Sequence, residues 1–169
     1  MRGTQVAHYQ GIDFSGAALE LASKAVAELG CAVTLEQSDF QEALRQQTEL
    51  VDVAWIGLSL HHLHRPEKLA FMRVIRSLLV PGGLFLAYEN TSPDGEDRAA
   101  WLRRWDLQKP LWTAYSEDEW NGMAAHVHAA DFPETTATWH ALGREAGFRS
   151  VREVFAAPSD LFRLYCFAS

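Results

Sequence analysis

Cysteine is scarce. Cys31 and Cys166 are the only two among 169 residues, too few for a disulfide framework and without metal-ligand spacing. Long apolar runs are missing as well, none approaching the roughly 20 residues that a membrane-spanning helix needs. Met1–Ala7 carries an arginine but no apolar stretch, which predicts no secretory signal there. Basic charge is in deficit, 15 Lys and Arg against 22 Asp and Glu for a net charge of -7. That balance argues against nucleic acid or an anionic membrane as partner, because phosphate binding needs basic surface. No repeat, low-complexity tract or linker interrupts the chain. These absences predict one cytoplasmic domain over residues 1–169, and a hydrophobic content of 48% is enough to build its core.

What is present alternates between strand and helix. His8 to Asp13 reads as a strand, with Ser15 as N-cap of a helix whose apolar positions are Ala18, Leu21, Ala22, Ala25, Val26 and Leu29, stopped by Gly30. Cys31 to Glu36 is a second strand and Gln41 to Gln47 a short helix. Val51 to Leu58 is nearly all apolar, the habit of a parallel strand covered on both faces. Pro66 opens a helix with its stripe at Leu69, Met72, Ile75 and Leu79; Pro81-Gly82-Gly83 ends it before the strand Leu84 to Tyr88. Residues 90–132 change style, holding Trp101, Trp105, Trp112 and Trp120, and Ser116 with Glu119 predicts a capped helix to about His128. A helix from Thr135 to Ala146 is closed by Gly147. The strands Val151 to Phe155 and Leu161 to Phe167 follow with no crossover helix, so they must be antiparallel. This is an α/β, doubly wound, mostly parallel sheet with an antiparallel C-terminal pair.

Four local features occur in the order found in one family. Tyr9-Gln10-Gly11-Ile12-Asp13-Phe14-Ser15 resembles that family's second strand, which ends in an acidic residue. Ser38-Asp39-Phe40 resembles the acidic turn after its third. Asp52 to Leu63, with Leu60-His61-His62-Leu63, is similar to the fourth strand and its loop, and Leu79-Val80-Pro81-Gly82-Gly83 to the turn before the fifth. The chain thus resembles the class I methyltransferases that use S-adenosyl-L-methionine (SAM), of the small-molecule type. A nicotinamide oxidoreductase shares the acidic second strand, but not the Asp39 turn, the Pro-Gly-Gly turn or the antiparallel end.

The resemblance implies SAM as cofactor. Asp13 would accept from the ribose hydroxyls, with Phe14 beside it, or else simply cap the next helix. Asp39 would accept from the adenine amine, with Phe40 lending ring contact, or else form a turn. Gly57 and Leu58 would line the methionine arm through backbone groups. For catalysis the residues implied are His61, His62 and Tyr88, with Glu89 as base or capping charge. A helical cover over 90–132 would present Trp112, Tyr115, Trp120 and His126 to a small-molecule acceptor, or pack as core; His126 and His128 cannot both point inward. No metal is expected, because His61, His62 and His64 have no acidic neighbour in sequence.

One family element is missing. The first strand and its glycine-rich D/E-x-G-x-G-x-G loop have no match, as only seven residues precede the strand that should be second. The reading is therefore of a truncated domain. Losing the central strand exposes two edges. Direct pairing of the second and fourth strands, a homodimer covering the gap, or filling by Met1–Ala7 would repair it. Two functions follow: a methyltransferase with impaired SAM binding, or a non-catalytic relic of the fold.

Overall fold

The computed structural model describes residues 5–169, which fall into two compact units that divide between Thr48 and Glu49. In the first, β1 (His8–Asp13) and β2 (Ala32–Gln37) pair in parallel, in register from His8 opposite Ala32 to Asp13 opposite Gln37. α1 (Gly16–Val26) connects them, its N-terminus capped by the Ser15 hydroxyl accepting from Ala18 N–H at 3.3 Å. Gly30, at φ 66°, takes the left-handed conformation that ends the following short turn. α2 (Phe40–Gln46) begins at Asp39. The expected apolar stripe of α1 is largely open. Only Val26 is buried, and Leu21 is 68% exposed, because two strands offer too narrow a sheet to cover a three-turn helix.

The second unit carries most of the core. In chain order it contains β3 (Val51–Gly57), α3 (Arg65–Leu78), β4 (Leu79–Ser92), α4 (Arg98–Asp106), α5 (Glu117–Ala130), β5 (Glu134–Thr135), α6 (Thr136–Glu145), β6 (Ser150–Ala156) and β7 (Phe162–Ala168). The sheet order is β3-β4-β7-β6, with β3 parallel to β4, β4 and β6 antiparallel to β7, and β5 added parallel at the end of β4. The mostly parallel α/β sheet with an antiparallel C-terminal pair is therefore present as expected. β4 runs on to Ser92 rather than ending near Tyr88, since β7 and β5 supply ladder partners for Glu89 to Ser92. The Pro-Gly-Gly turn bulges between the pairs Val51–Leu79 and Val53–Leu84, where a Cβ on Gly83 would lie 3.0 Å from the Asp52 carbonyl.

One expectation fails here. β3 is not covered on both faces: Val53 and Trp55 are 54% and 59% exposed, for no helix of this unit packs closely on it. Within its own unit, β1 is hydrogen-bonded to β2 and β3 to β4. Met1–Thr4 of the segment expected to fill the gap lies outside the described residues.

Buried Met72, Ile75, Phe85, Ala87, Trp139, Leu142, Tyr165 and Phe167 form the sheet core. α6 approaches so closely at Gly143 that a Cβ there would stand 2.8 Å from the Phe167 ring. A second cluster joins Trp101, Leu102 and Trp105 of α4 to Trp120 and Val127 of α5 and to Leu161. No helix among the described residues is long and apolar enough to cross a membrane.

Candidate functional site

The site grows from Glu89, a carboxylate on β4 with no exposed surface. The β3–β4 register sets Gly57 opposite Tyr88, so the chain leaving β3 starts one residue from Glu89. Leu58 turns it, at φ 53°, a left-handed conformation that costs a non-glycine residue about 1–2 kcal/mol. Its N–H donates to the Tyr88 carbonyl at 2.8 Å. Glu89 then holds the turn. Oε1 accepts from the N–H groups of Ser59 and Leu60 at 3.0 and 2.8 Å, and Oε2 from His61 N–H at 3.2 Å. His61 Nδ1 lies 2.8 Å from the same Oε2. Glu89 is thus the capping charge of the two roles expected for it, its lone pairs filled by strong charge-assisted bonds.

With Nδ1–H given to Glu89, His61 presents the lone pair of Nε2. It faces Asp131 Oδ1 at 3.7 Å, beyond hydrogen-bond reach. Asp131 is the residue that closes α5; its Oδ2 accepts from Asn90 Nδ2 at 2.7 Å. His62 Nδ1 stands 3.5 Å from Oδ1 and 3.3 Å from the Ala130 carbonyl. The backbone fixes this meeting: Phe132 N–H donates to the His61 carbonyl at 2.7 Å, and Arg98 Nε to the Asp131 carbonyl at 2.7 Å. Burial holds the Asp131 carboxyl above the usual range, with the positive character of His61, His62, His126 and Arg98 offsetting part of it. Burial, then repulsion by His61, pushes His62 below the ordinary imidazole value, so its ring is neutral at neutral pH.

The other expected residues distribute as follows. His126 meets this cluster, its ring centroid 5.2 Å from that of His62, whereas His128 turns away to Asp106 at 2.9 Å. Tyr88 packs on Phe162 with ring centroids 6.0 Å apart, and burial raises its phenol pKa, which keeps it protonated. Trp112, Tyr115 and Trp120 do come together, around a shallow cleft of about 310 Å³ whose lining includes neither His61 nor Tyr88. Trp120 also belongs to the second core cluster, stacked on Trp105 with centroids 4.6 Å apart. In the first unit, Asp13 Oδ1 accepts from Ser15 N–H at 2.8 Å, and Asp39 Oδ1 from Gln41 and Glu42 N–H at 2.9 and 3.0 Å. Asp39 caps α2, whereas Asp13 closes a turn onto Ser15, the residue that caps α1; no protein donor among the described residues reaches Oδ2 of either. Phe14 is 80% exposed and Phe40 half-buried.

Sequence reasoning missed Asp131 and Asn90. No motif marks them, and Asp131 lies 70 positions after His61 (131 minus 61). The expectation that the histidines have no nearby acidic partner fails: Glu89 lies 2.8 Å from His61, and Asp131 lies 3.7 and 3.5 Å from His61 and His62.

Residues 2–83 match the family model described as a methyltransferase domain. No curated protein matches the sequence. Among solved structures, an O-methyltransferase family protein from Burkholderia thailandensis is similar at TM-score 0.65 and 19% identity, over 94% of this chain and 42% of that one. The pyocyanin biosynthetic protein PhzM is similar at 0.59 and 18%, over 94% and 42%. PigF, solved with SAH, is similar at 0.57 and 16%, over 96% and 43%. The chain spans less than half the length of each. Strand order, the acidic strand ends and these likenesses agree: the chain carries the class I methyltransferase fold.

Proposed function

We propose that this chain is the fold-bearing part of a SAM-dependent methyltransferase that acts on a hydroxyl of a small-molecule acceptor. The observation that carries the reading is the turn after β3, where Glu89 and a left-handed Leu58 hold His61 and His62 at the carboxyl ends of parallel strands, the rim on which such sheets place their chemistry. SAM supplies an activated methyl: the acceptor oxygen attacks it, the carbon–sulfur bond breaks, and the acceptor proton must leave. The protein orients the acceptor and takes that proton. His62, neutral and half-exposed, is the receiving group, with His61 held behind it.

The acceptor chemistry of the cofactor site fits. Asp13 Oδ2 and Asp39 Oδ2 are open carboxylate oxygens at strand ends, suited to ribose hydroxyls and an adenine amine, with Phe14 and Phe40 beside them. Gly57 and Leu58 would meet the methionine arm through backbone. A second reading, a fold that binds SAM weakly or not at all, draws on one observation: this sequence contains no glycine-rich loop to let backbone approach the cofactor.

Calorimetric titration of SAM into the chain separates the two. We expect saturable binding that Asp13→Ala abolishes. Absence of binding to the chain as monomer or dimer would refute the enzyme reading for it, and binding unchanged in Asp13→Ala would remove Asp13 from the site.

A further inference from the structure

We infer that His61, His62 and Asp131 form a binding site for a divalent transition ion of the zinc type. One ligand atom from each lies within 4.8 Å of the other two. Asp131 Oδ1 is the hub, 3.7 Å from His61 Nε2 and 3.5 Å from His62 Nδ1. Bonds of 2.0–2.2 Å in a tetrahedron hold ligand atoms roughly 3.3–3.6 Å apart, so the two separations from Oδ1 already lie within a few tenths of an ångström of that geometry.

Two independent features point to a cation rather than to an ordinary polar cluster. The first is the hub itself. Asp131 is 2% exposed, and its Oδ1 has no hydrogen-bond donor. An orphaned buried acceptor is destabilising, and more so when charged. A proton on His61 would not repair it, since 3.7 Å is too long for a hydrogen bond. An ion between the atoms would satisfy Oδ1 and the His61 Nε2 lone pair at once, with His62 Nδ1 exchanging its proton and its bond to the Ala130 carbonyl for the third ligand bond. The second is the outer shell. Metal-ligating histidines donate their other ring N–H to a carboxylate or carbonyl, which fixes tautomer and orientation. Glu89 does this for His61 at 2.8 Å and is itself locked by three backbone N–H groups. Asn90 holds the non-ligating oxygen of Asp131 at 2.7 Å. The two buried ligands are thus oriented as ligands before any ion arrives.

Two imidazoles and one carboxylate are borderline donors suited to zinc and its neighbours rather than to calcium or magnesium. Three protein ligands leave a fourth position, and half-exposed His62 with exposed His126 beside it gives that position access from solvent. This is the pattern of reactive rather than purely structural zinc. With the ion bound, the histidines cease to be bases. A water or acceptor hydroxyl in the open place would instead ionise near neutrality, releasing its proton to solvent. Ion binding itself does not depend on the methyl-transfer reading.

The test titrates ZnCl2 into the chelator-stripped chain by calorimetry, with Co²⁺ as a spectroscopic substitute. One ion per chain is expected, together with cobalt d–d bands that lack the thiolate charge transfer Cys31 or Cys166 would produce. Asp131→Asn and, separately, His62→Gln should each weaken zinc by about 100-fold or more, the upper end of what even an outer-shell loss costs, with unchanged circular dichroism. His62→Gln alters a half-exposed side chain, so it serves even if Asp131→Asn fails to fold. No saturable binding, thiolate bands, or wild-type affinity in His62→Gln would each overturn the site, whatever SAM does.

Discussion

The second unit holds two buried clusters of opposite chemistry. Trp101, Trp105, Trp120 and their neighbours form an apolar, stacked cluster with one unsatisfied polar atom, Trp101 Nε1. The cluster of Glu89, His61, Asn90 and Asp131 is charged, and two of its oxygens, Asn90 Oδ1 and Asp131 Oδ1, lack donors. The first is held by area and shape and has little left to offer a ligand. The second is rigid where Glu89 is saturated and incomplete where Asp131 is not. Binding capacity sits in that incompleteness, because a saturated network has no lone pair to give.

The contrast can be broken from either side. Trp105→Ala should give the largest loss, about 3–5 kcal/mol in urea unfolding, since it removes the ring stacked on Trp120 and leaves a cavity. A loss below 1 kcal/mol would mean that the tryptophan cluster is not a core. Glu89→Gln should cost less, about 1–3 kcal/mol, by setting an amide NH2 against backbone N–H donors. Unaltered stability would show that the turn holds itself. The smallest effect concerns Lys68 of α3, fully buried, donating to the Phe132 carbonyl at 2.6 Å and to Glu134 at 2.8 Å. Burial pushes its ammonium below the ordinary 10.5, Glu134 offsetting part. Below 10.5 the folded chain therefore binds fewer protons at this site than the unfolded chain. Its contribution is complete above that value and fades as pH falls towards the folded pKa. The stability of wild type minus that of Lys68→Met should rise as pH is raised from neutrality towards 10.5, and a flat or falling difference would contradict the assignment.

Much of this was legible along the chain. Ser15, and Ser116 with Glu119, mark helix starts by local side-chain-to-backbone bonds, and each occurs where expected; Asp39, read as a turn residue, turns out to cap α2. The antiparallel end followed from the absence of a crossover helix. Exposure was not legible: Val53 and Trp55 read as buried because periodicity reports what a strand can bury, not what packs on it. Half of the polar cluster was equally hidden. His61, His62 and Glu89 stand out from their strand ends, while Asp131 is one aspartate at a helix end, given meaning only by tertiary contact.

The hydrogen bond from Phe132 to the His61 carbonyl carries a kinetic consequence. It joins positions 71 apart (132 minus 61), so forming it closes a long loop against chain entropy that grows with the logarithm of loop length. Contacts of such sequence separation slow folding. The turn held by Glu89 needs only β3 and β4, whereas the histidines gain Asp131 only when that loop closes, so we expect the polar cluster to be completed after the turn, an order that the φ-values of variants at Glu89 and Asp131 would check.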